Sequence, residues 1–150
     1  VVATSNEISL YIDIPTIKRA DGMTIDFIES EQGSGFKIDN PNSPPAVQQM
    51  PVAKLKELKD SNTEFQLLDV RGPDERKTAS IEGSVLLTQE SAQELAKADK
   101  EAMLVFHCHH GGRSQQAAEQ FRNAGFRNVH NVVGGIDAWS QEIDSSVPRY

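Results

Sequence analysis

The stretch "AMLVFHCHHGGRS", Ala102 to Ser114, constrains the fold more than any other part of the chain. It opens on an uninterrupted apolar run, Ala102 to Phe106, of the kind found in a parallel strand covered on both faces. A helical pattern follows from Ser114 to Asn123, with Ala117, Ala118 and Phe121 at helical spacing. Between the two lie the single cysteine, Cys108, and a turn carrying Gly111 and Gly112. A buried strand feeding a helix belongs to a layered α/β architecture.

The neighbouring segments repeat that alternation. Val52, Leu55 and Leu58 predict a short helix ending near Asp60-Ser61-Asn62. "FQLLDVR" predicts a buried strand and "GSVLL" a short one, and Glu90 to Lys100 predicts a helix. "GFRNVHNV" turns into another strand, and "GGIDAWSQEI" closes as a helix in which Trp139 and Ile136 share a core-facing side. The expected fold class is α/β: a mostly parallel sheet flanked by helices, with a small β-rich segment ahead of it. That segment, residues 1–43, alternates apolar and polar residues in "ISLYID", "MTIDFIES" and "GFKID". It predicts two or three strands, with turn signals at Asp21-Gly22 and Gly33-Ser34-Gly35. The proline-rich stretch "NPNSPPAVQQMP" separates the parts, giving a segment over 1–43, a linker over 44–50 and a main domain over 51–150.

Composition narrows the function classes. Fifteen Lys and Arg against 22 Asp and Glu leave a formal net charge of −7, which disfavours nucleic acid and anionic membranes as partners. No apolar run approaches the roughly 20 residues a membrane helix needs, and no positively charged start precedes an apolar stretch. One cysteine cannot form an internal disulfide, so a reducing, cytoplasmic location is expected.

Cys108 falls at the carboxyl end of its strand, where open α/β sheets bind ligands. Gly111 and Gly112 let the loop backbone approach a ligand closely with its N–H groups turned inward. The positive end of the following helix points back at the loop, and Arg113 adds a permanent charge. The arrangement favours an anion, and the nearest candidate is the Cys108 thiolate, whose pKa such settings lower. A lone cysteine is otherwise a small inert hydrophobe, but an inert one needs no polar, glycine-rich cradle. His109 and His110 either add charge near neutral pH or are simply exposed loop residues.

"CHHGGRS" resembles the Cys-x-x-Gly-x-Arg-Ser loop of rhodaneses, the single-domain sulfurtransferases. "FQLLDVRGPDE" is similar to their early strand and Asp-Val-Arg signature. "ASIEGSVLL" is similar to their Gly-His-Ile-Pro-Gly-Ala segment, with Ser80 and Glu82 where His and Pro are usual. "AGFRNVHNVVGGIDAW" is similar to their closing Gly-Phe-x-x-Val and Gly-Gly-x-x-x-Trp elements. The resemblance spans Gln49 to Val147. It implies that Cys108 takes sulfane sulfur from a donor such as thiosulfate, forms a persulfide, and passes the sulfur to cyanide or a thiol. Glutathione, thioredoxin or a glutaredoxin-like protein are compatible acceptors, and neither metal nor cofactor is expected. The substrate-binding candidates are His109, His110, Gly111, Gly112 and Arg113. Asp69 and Arg71 lie at a neighbouring strand end, either as a structural ion pair with Glu75 as a possible third member, or, with Ser114, as support for the cysteine loop.

Three other readings compete. Cysteine-dependent phosphatases and arsenate reductases use five residues between Cys and Arg, and this chain has four, His109 to Gly112. A metal site on His107, Cys108, His109, His110 and His130 is disfavoured because adjacent strand residues face opposite ways. A noncatalytic rhodanese-like interaction module would not need the cysteine. In the first segment, "GSGFKIDNPN" resembles the C-terminal part of A-type iron–sulfur carriers, but the cysteines that bind the cluster in that family are absent. The resemblance implies a truncated domain reused for docking or structure; the alternative is a β-rich extension covering the main domain.

Overall fold

The computed structural model describes residues 2–5, 8–30 and 33–150. It divides into two compact units, Val1–Ser43 and Pro44–Tyr150.

In the first unit, β1 (Val2–Ser5) pairs antiparallel with β2 (Ile8–Tyr11). Helix α1 (Ile14–Ala20) follows, started by Asp13, whose carboxylate accepts from the Thr16 amide at 2.9 Å. The unit ends in an antiparallel pair, β3 (Thr24–Ser30) and β4 (Gly33–Asp39). Phe27 and Phe36 stand opposite each other there, ring centroids 5.2 Å apart. Helix α1 was not expected: the alternating strands on either side of it set the reading of this segment, although Ile14, Ile17 and Ala20 lie three apart. Gly33-Ser34-Gly35, expected to turn, lies inside β4 opposite Ile28 to Ser30.

The second unit carries a five-stranded parallel sheet in the order β5-β9-β8-β6-β7. The strands are β5 (Gln48–Met50), β6 (Gln66–Asp69), β7 (Val85–Leu86), β8 (Leu104–His107) and β9 (Val129–Val132). The connections are α2 (Val52–Asp60), α3 (Pro73–Thr78), α4 (Gln89–Leu95) and α5 (Gly112–Asn123), with α6 (Gly135–Glu142) last. This is the expected α/β class. Residues 48–50, read as linker, instead form the edge strand β5: their backbone pairs with His130 to Val132, and Met50 joins the core.

Side chains alternate across the sheet and build a core on each face. Leu67, Val105 and Val132 pack with Leu55 of α2 and Ile136 and Trp139 of α6. Leu68, Leu104 and Phe106 pack with Leu95 of α4 and Ala118 and Phe121 of α5. All four residues of β8 are buried, as an apolar run covered on both sides requires. Among the described residues, no helix is long and apolar enough to cross a membrane.

Candidate active site

Strand β8 ends at His107, and Cys108 opens the loop into α5. The helix begins at Gly112, two residues before the expected start, because Gly111 caps it in the left-handed conformation at φ 101°. A side chain at Gly111 would be strained there, and its Cβ would lie 3.2 Å from the Val132 carbonyl. Gly112 has no such constraint: a Cβ there meets nothing within 4 Å. The protein's own packing therefore requires glycine at 111 and places no such demand at 112.

The Cys108 side chain is buried at 1% exposure, and its partners are neutral donors. The Gly111 amide donates to Sγ at 3.1 Å and the Ser114 hydroxyl lies 3.4 Å away. Burial alone would push the thiol pKa up. The Ser114 hydroxyl and the backbone amides of Ser114, Gly111 and His110 overcome that and hold it below the usual thiol value. Ser114 is also within reach of two other acceptors, Asn131 Oδ1 at 2.7 Å and the Gly111 carbonyl at 3.1 Å. One hydroxyl proton serves one acceptor at a time, so Asn131 competes with the sulfur for it. Asn131 is buried on β9 and donates to Gln49 at 3.0 Å. Sequence reasoning missed it, although a lone Asn between apolar strand residues was the available signal.

The loop is pinned from the other side by α6. The Ile136 amide donates to the Cys108 carbonyl at 2.9 Å, and the Asp137 amide to that of His109 at 3.1 Å. Gly135 makes this possible, since a Cβ there would sit 2.4 Å from the Cys108 carbonyl oxygen. Its role exceeds the strand-to-helix turn that the sequence suggested. With its carbonyls occupied by α6, the loop keeps its N–H groups for the sulfur.

Arg113 is not bonded to the loop. Its guanidinium is clamped by Glu75 of α3 through two 2.7 Å hydrogen bonds. Those bonds, with the Gly72 amide and the Tyr150 hydroxyl, pull the Glu75 carboxyl down to about 2. His109 and His110 stack on each other with centroids 4.0 Å apart, and Tyr150 stacks on His109 at 4.3 Å. Burial and the neighbouring His110 keep the His109 pKa below its usual value, so it adds little charge at neutral pH.

Asp69 and Arg71 form a separate buried pair. Arg71 Nε and Nη2 reach the two Asp69 oxygens at 2.9 and 2.7 Å, and Arg76 reaches Oδ2 at 3.2 Å. Burial would raise the Asp69 carboxyl, but hydrogen bonds from Arg71 and the surrounding positive charge bring it below its usual value. Glu75 is not the third member of this pair: its carboxylate faces Arg113, and Arg71 meets only its carbonyl at 3.5 Å. Asp69 pairs in register with His107, one residue before Cys108, and makes no direct bond to the cysteine loop. His107 is fully buried, with neither ring nitrogen hydrogen-bonded and Nε2 3.9 Å from Asp69. Burial lowers its pKa to about 4, so it is neutral at physiological pH.

Comparison with known proteins agrees with this architecture. The rhodanese-like domain matches residues 51–142, and the chain belongs to that family. It is 37% identical over 92 residues to a rhodanese-like/PpiC domain-containing protein 12 of Arabidopsis thaliana, covering 58% of this chain but only 31% of the plant protein. It is 33% identical over 87 residues to the thiosulfate sulfurtransferase GlpE of Pseudomonas aeruginosa, covering 57% of this chain and 77% of GlpE. A rhodanese-like domain protein from Staphylococcus aureus has the same fold, with a TM-score of 0.57 at 23% identity over 69% of this chain and 99% of that one.

Proposed function

We propose that the chain is a sulfurtransferase in which Cys108 carries sulfane sulfur as a persulfide. The observation that carries this reading is the environment of Sγ: a buried thiol, lowered in pKa by amide and hydroxyl donors, with no cation bonded to it. The likeness to GlpE supports the reaction class. The thiolate attacks the outer sulfur of thiosulfate, the S–S bond breaks, and sulfite leaves with the bonding pair. A persulfide, Cys–S–S⁻, remains, and the loop amides stabilise its charge as they do that of the thiolate. Cyanide or a thiolate then attacks the terminal sulfur, and the Cys108 thiolate is released. With one cysteine in the chain, the acceptor thiol comes from another molecule, glutathione or a thioredoxin-like protein. The reading includes a cytoplasmic setting. It also takes residues 1–43 as a docking or structural remnant of an A-type carrier, without a cluster.

Intact-protein mass after brief exposure to thiosulfate tests the reaction. A gain of about 32 Da, one sulfur on the oxidation ladder of cysteine, is expected, and cyanide or dithiothreitol removes it. Cys108→Ser gains nothing while keeping its melting transition. An intact, titratable thiol that gains no sulfur from thiosulfate, or from a cysteine desulfurase supplied with cysteine, overturns the proposal.

A further inference from the structure

Cys108 is 1% exposed, yet a sulfur donor and an acceptor must both reach it. What surrounds the mouth of the loop therefore decides what enters. The His109 ring is covered on both faces, by His110 at 4.0 Å and by Tyr150 at 4.3 Å, with interplanar angles of 17° and 13°. The Tyr150 hydroxyl accepts from Arg71 Nη1 at 2.7 Å and donates to Glu75 Oε1 at 3.1 Å. Glu75 in turn holds Arg113, on the first turn of α5. Tyr150 thus touches one side of the loop directly and the other through a single carboxylate. The preceding residue closes the circuit: Arg149 Nε donates to Asp137 at 2.8 Å, and the Asp137 amide donates to the His109 carbonyl at 3.1 Å. No secondary-structure element holds residues 148–150, and Tyr150 keeps 44% exposure. Ring stacking on His109, two hydroxyl bonds and the Arg71 guanidinium 5.9 Å from its ring centroid hold Tyr150 against the loop, all of them side-chain contacts that a rotation of the ring can break.

We infer that Tyr150 is a specificity-determining gate for the sulfur transfer proposed above. Stacked on His109, it admits donors and acceptors of thiosulfate or cyanide size, and a bulky thiol reaches Cys108 only when the ring swings away. Tyr150 is a positioning residue: it acts through His109 and Glu75 and does not touch the sulfur.

The test uses the full chain and two neutral reagents of the same chemistry, iodoacetamide and the much larger N-pyrenyl iodoacetamide. Alkylation needs only a nucleophilic thiol, so the result is independent of whether Cys108 accepts sulfur. Tyr150→Ala raises the large-to-small ratio of rate constants at least five-fold, with the pH profile of the small reagent unchanged. Tyr150→Phe keeps the stack and loses both hydroxyl bonds, and raises the ratio about two-fold. Tyr150→Trp, with a ring that can still stack, restores the low ratio. A ratio unchanged in a folded Tyr150→Ala variant overturns the gate. Should that variant fail to fold, an unchanged ratio in Tyr150→Phe overturns it equally. A general loss of structure raises the small reagent's own rate constant as well, so a Tyr150→Ala variant in which both rates rise together counts against the gate whatever its ratio.

Discussion

Two neighbouring parallel strands, β6 and β8, end at the same edge of the sheet, and each presents an acidic side chain followed by an arginine. At the end of β6 the anion is Asp69 and the arginine two residues on, Arg71, binds it through both oxygens. At the end of β8 the acidic group is the Cys108 thiol, held below its usual pKa, and the arginine five residues on, Arg113, turns away to Glu75. Asp69 is met by guanidinium groups, the Cys108 sulfur by amides and a hydroxyl alone. A carboxylate in a bidentate pair is locked, and such pairs are strong and geometrically specific. A thiol held by neutral donors is made more acidic without an ion pair to occupy its sulfur. The direction of one arginine separates the two corners.

The largest expected effect comes from breaking the β6 corner. Asp69→Asn keeps the volume and removes the charge, leaving Arg71 buried without its anion and Arg76 without one of its partners. Removing one member of a buried pair costs about 3–5 kcal/mol. A chemical denaturation midpoint lowered by a corresponding amount is expected. Reactivity of Cys108 at temperatures where the variant is folded should change little, because no direct bond joins Asp69 to the cysteine loop. A stable Asp69→Asn with a dead cysteine would reverse the roles assigned to the two corners.

The next effect sharpens the β8 corner. Ser114→Ala removes the hydroxyl donor to Sγ but leaves the amides of Gly111, His110 and Ser114 itself. Hydrogen bonds to charged groups are worth about 1.5–3 kcal/mol, but this hydroxyl is 3.4 Å from the sulfur and shared with Asn131, which takes it below that range. The depressed thiol pKa puts the midpoint of the wild-type alkylation rate against pH below the ordinary thiol value of about 8.5. In Ser114→Ala that midpoint moves up, and the rate at pH 6 falls several-fold. An unmoved midpoint would mean that the amides alone set the thiol's acidity and that Ser114 serves Asn131.

How much of this is legible in the amino-acid sequence depends on range along the chain. The β8 run, the α5 stripe and the glycine turn between them carry their structure locally, so strand, helix and Cys108 were readable together. Helix α3 was not readable: "PDERKT" has no buried residue and hence no apolar period to detect. Strand β5 was hidden because three residues at a sheet edge show no alternation. The same holds for the site. Cys108 and Gly111 follow from the local loop, whereas the Arg113–Glu75 clamp joins residues 38 apart and the Tyr150–Glu75 bond residues 75 apart. Arg113 is a substrate-binding candidate by adjacency to Cys108, and adjacency does not report the Glu75 carboxylate that another connection delivers to it.

That clamp supplies the smallest and most discriminating effect. Glu75→Gln keeps an acceptor for the Gly72 amide and removes the charge that holds Arg113. Half-exposed pairs contribute about 1 kcal/mol or less to stability, so the melting transition should fall by only a few degrees at neutral pH, where that contribution is complete, and the difference should shrink in acid. A carboxyl lowered to about 2 in the folded state stabilises it above the unfolded value near 4.5, and that contribution is lost as pH falls from there toward 2. Glu75→Gln should lose this part of the acid dependence, a flattening visible in melting temperatures between pH 5 and 2.5. At the site, the substitution deletes a negative charge beside an anionic nucleophile and releases a guanidinium toward it. A unit charge on the order of 10 Å away in water-like surroundings is worth about 0.4 kcal/mol, or about two-fold in rate. An anionic reagent such as thiosulfate should therefore gain about two-fold relative to a neutral one, and added salt should erase the gain. A larger gain that survives salt would mean that the freed Arg113 binds the donor directly, and that the contrast between the two strand ends depends on Glu75.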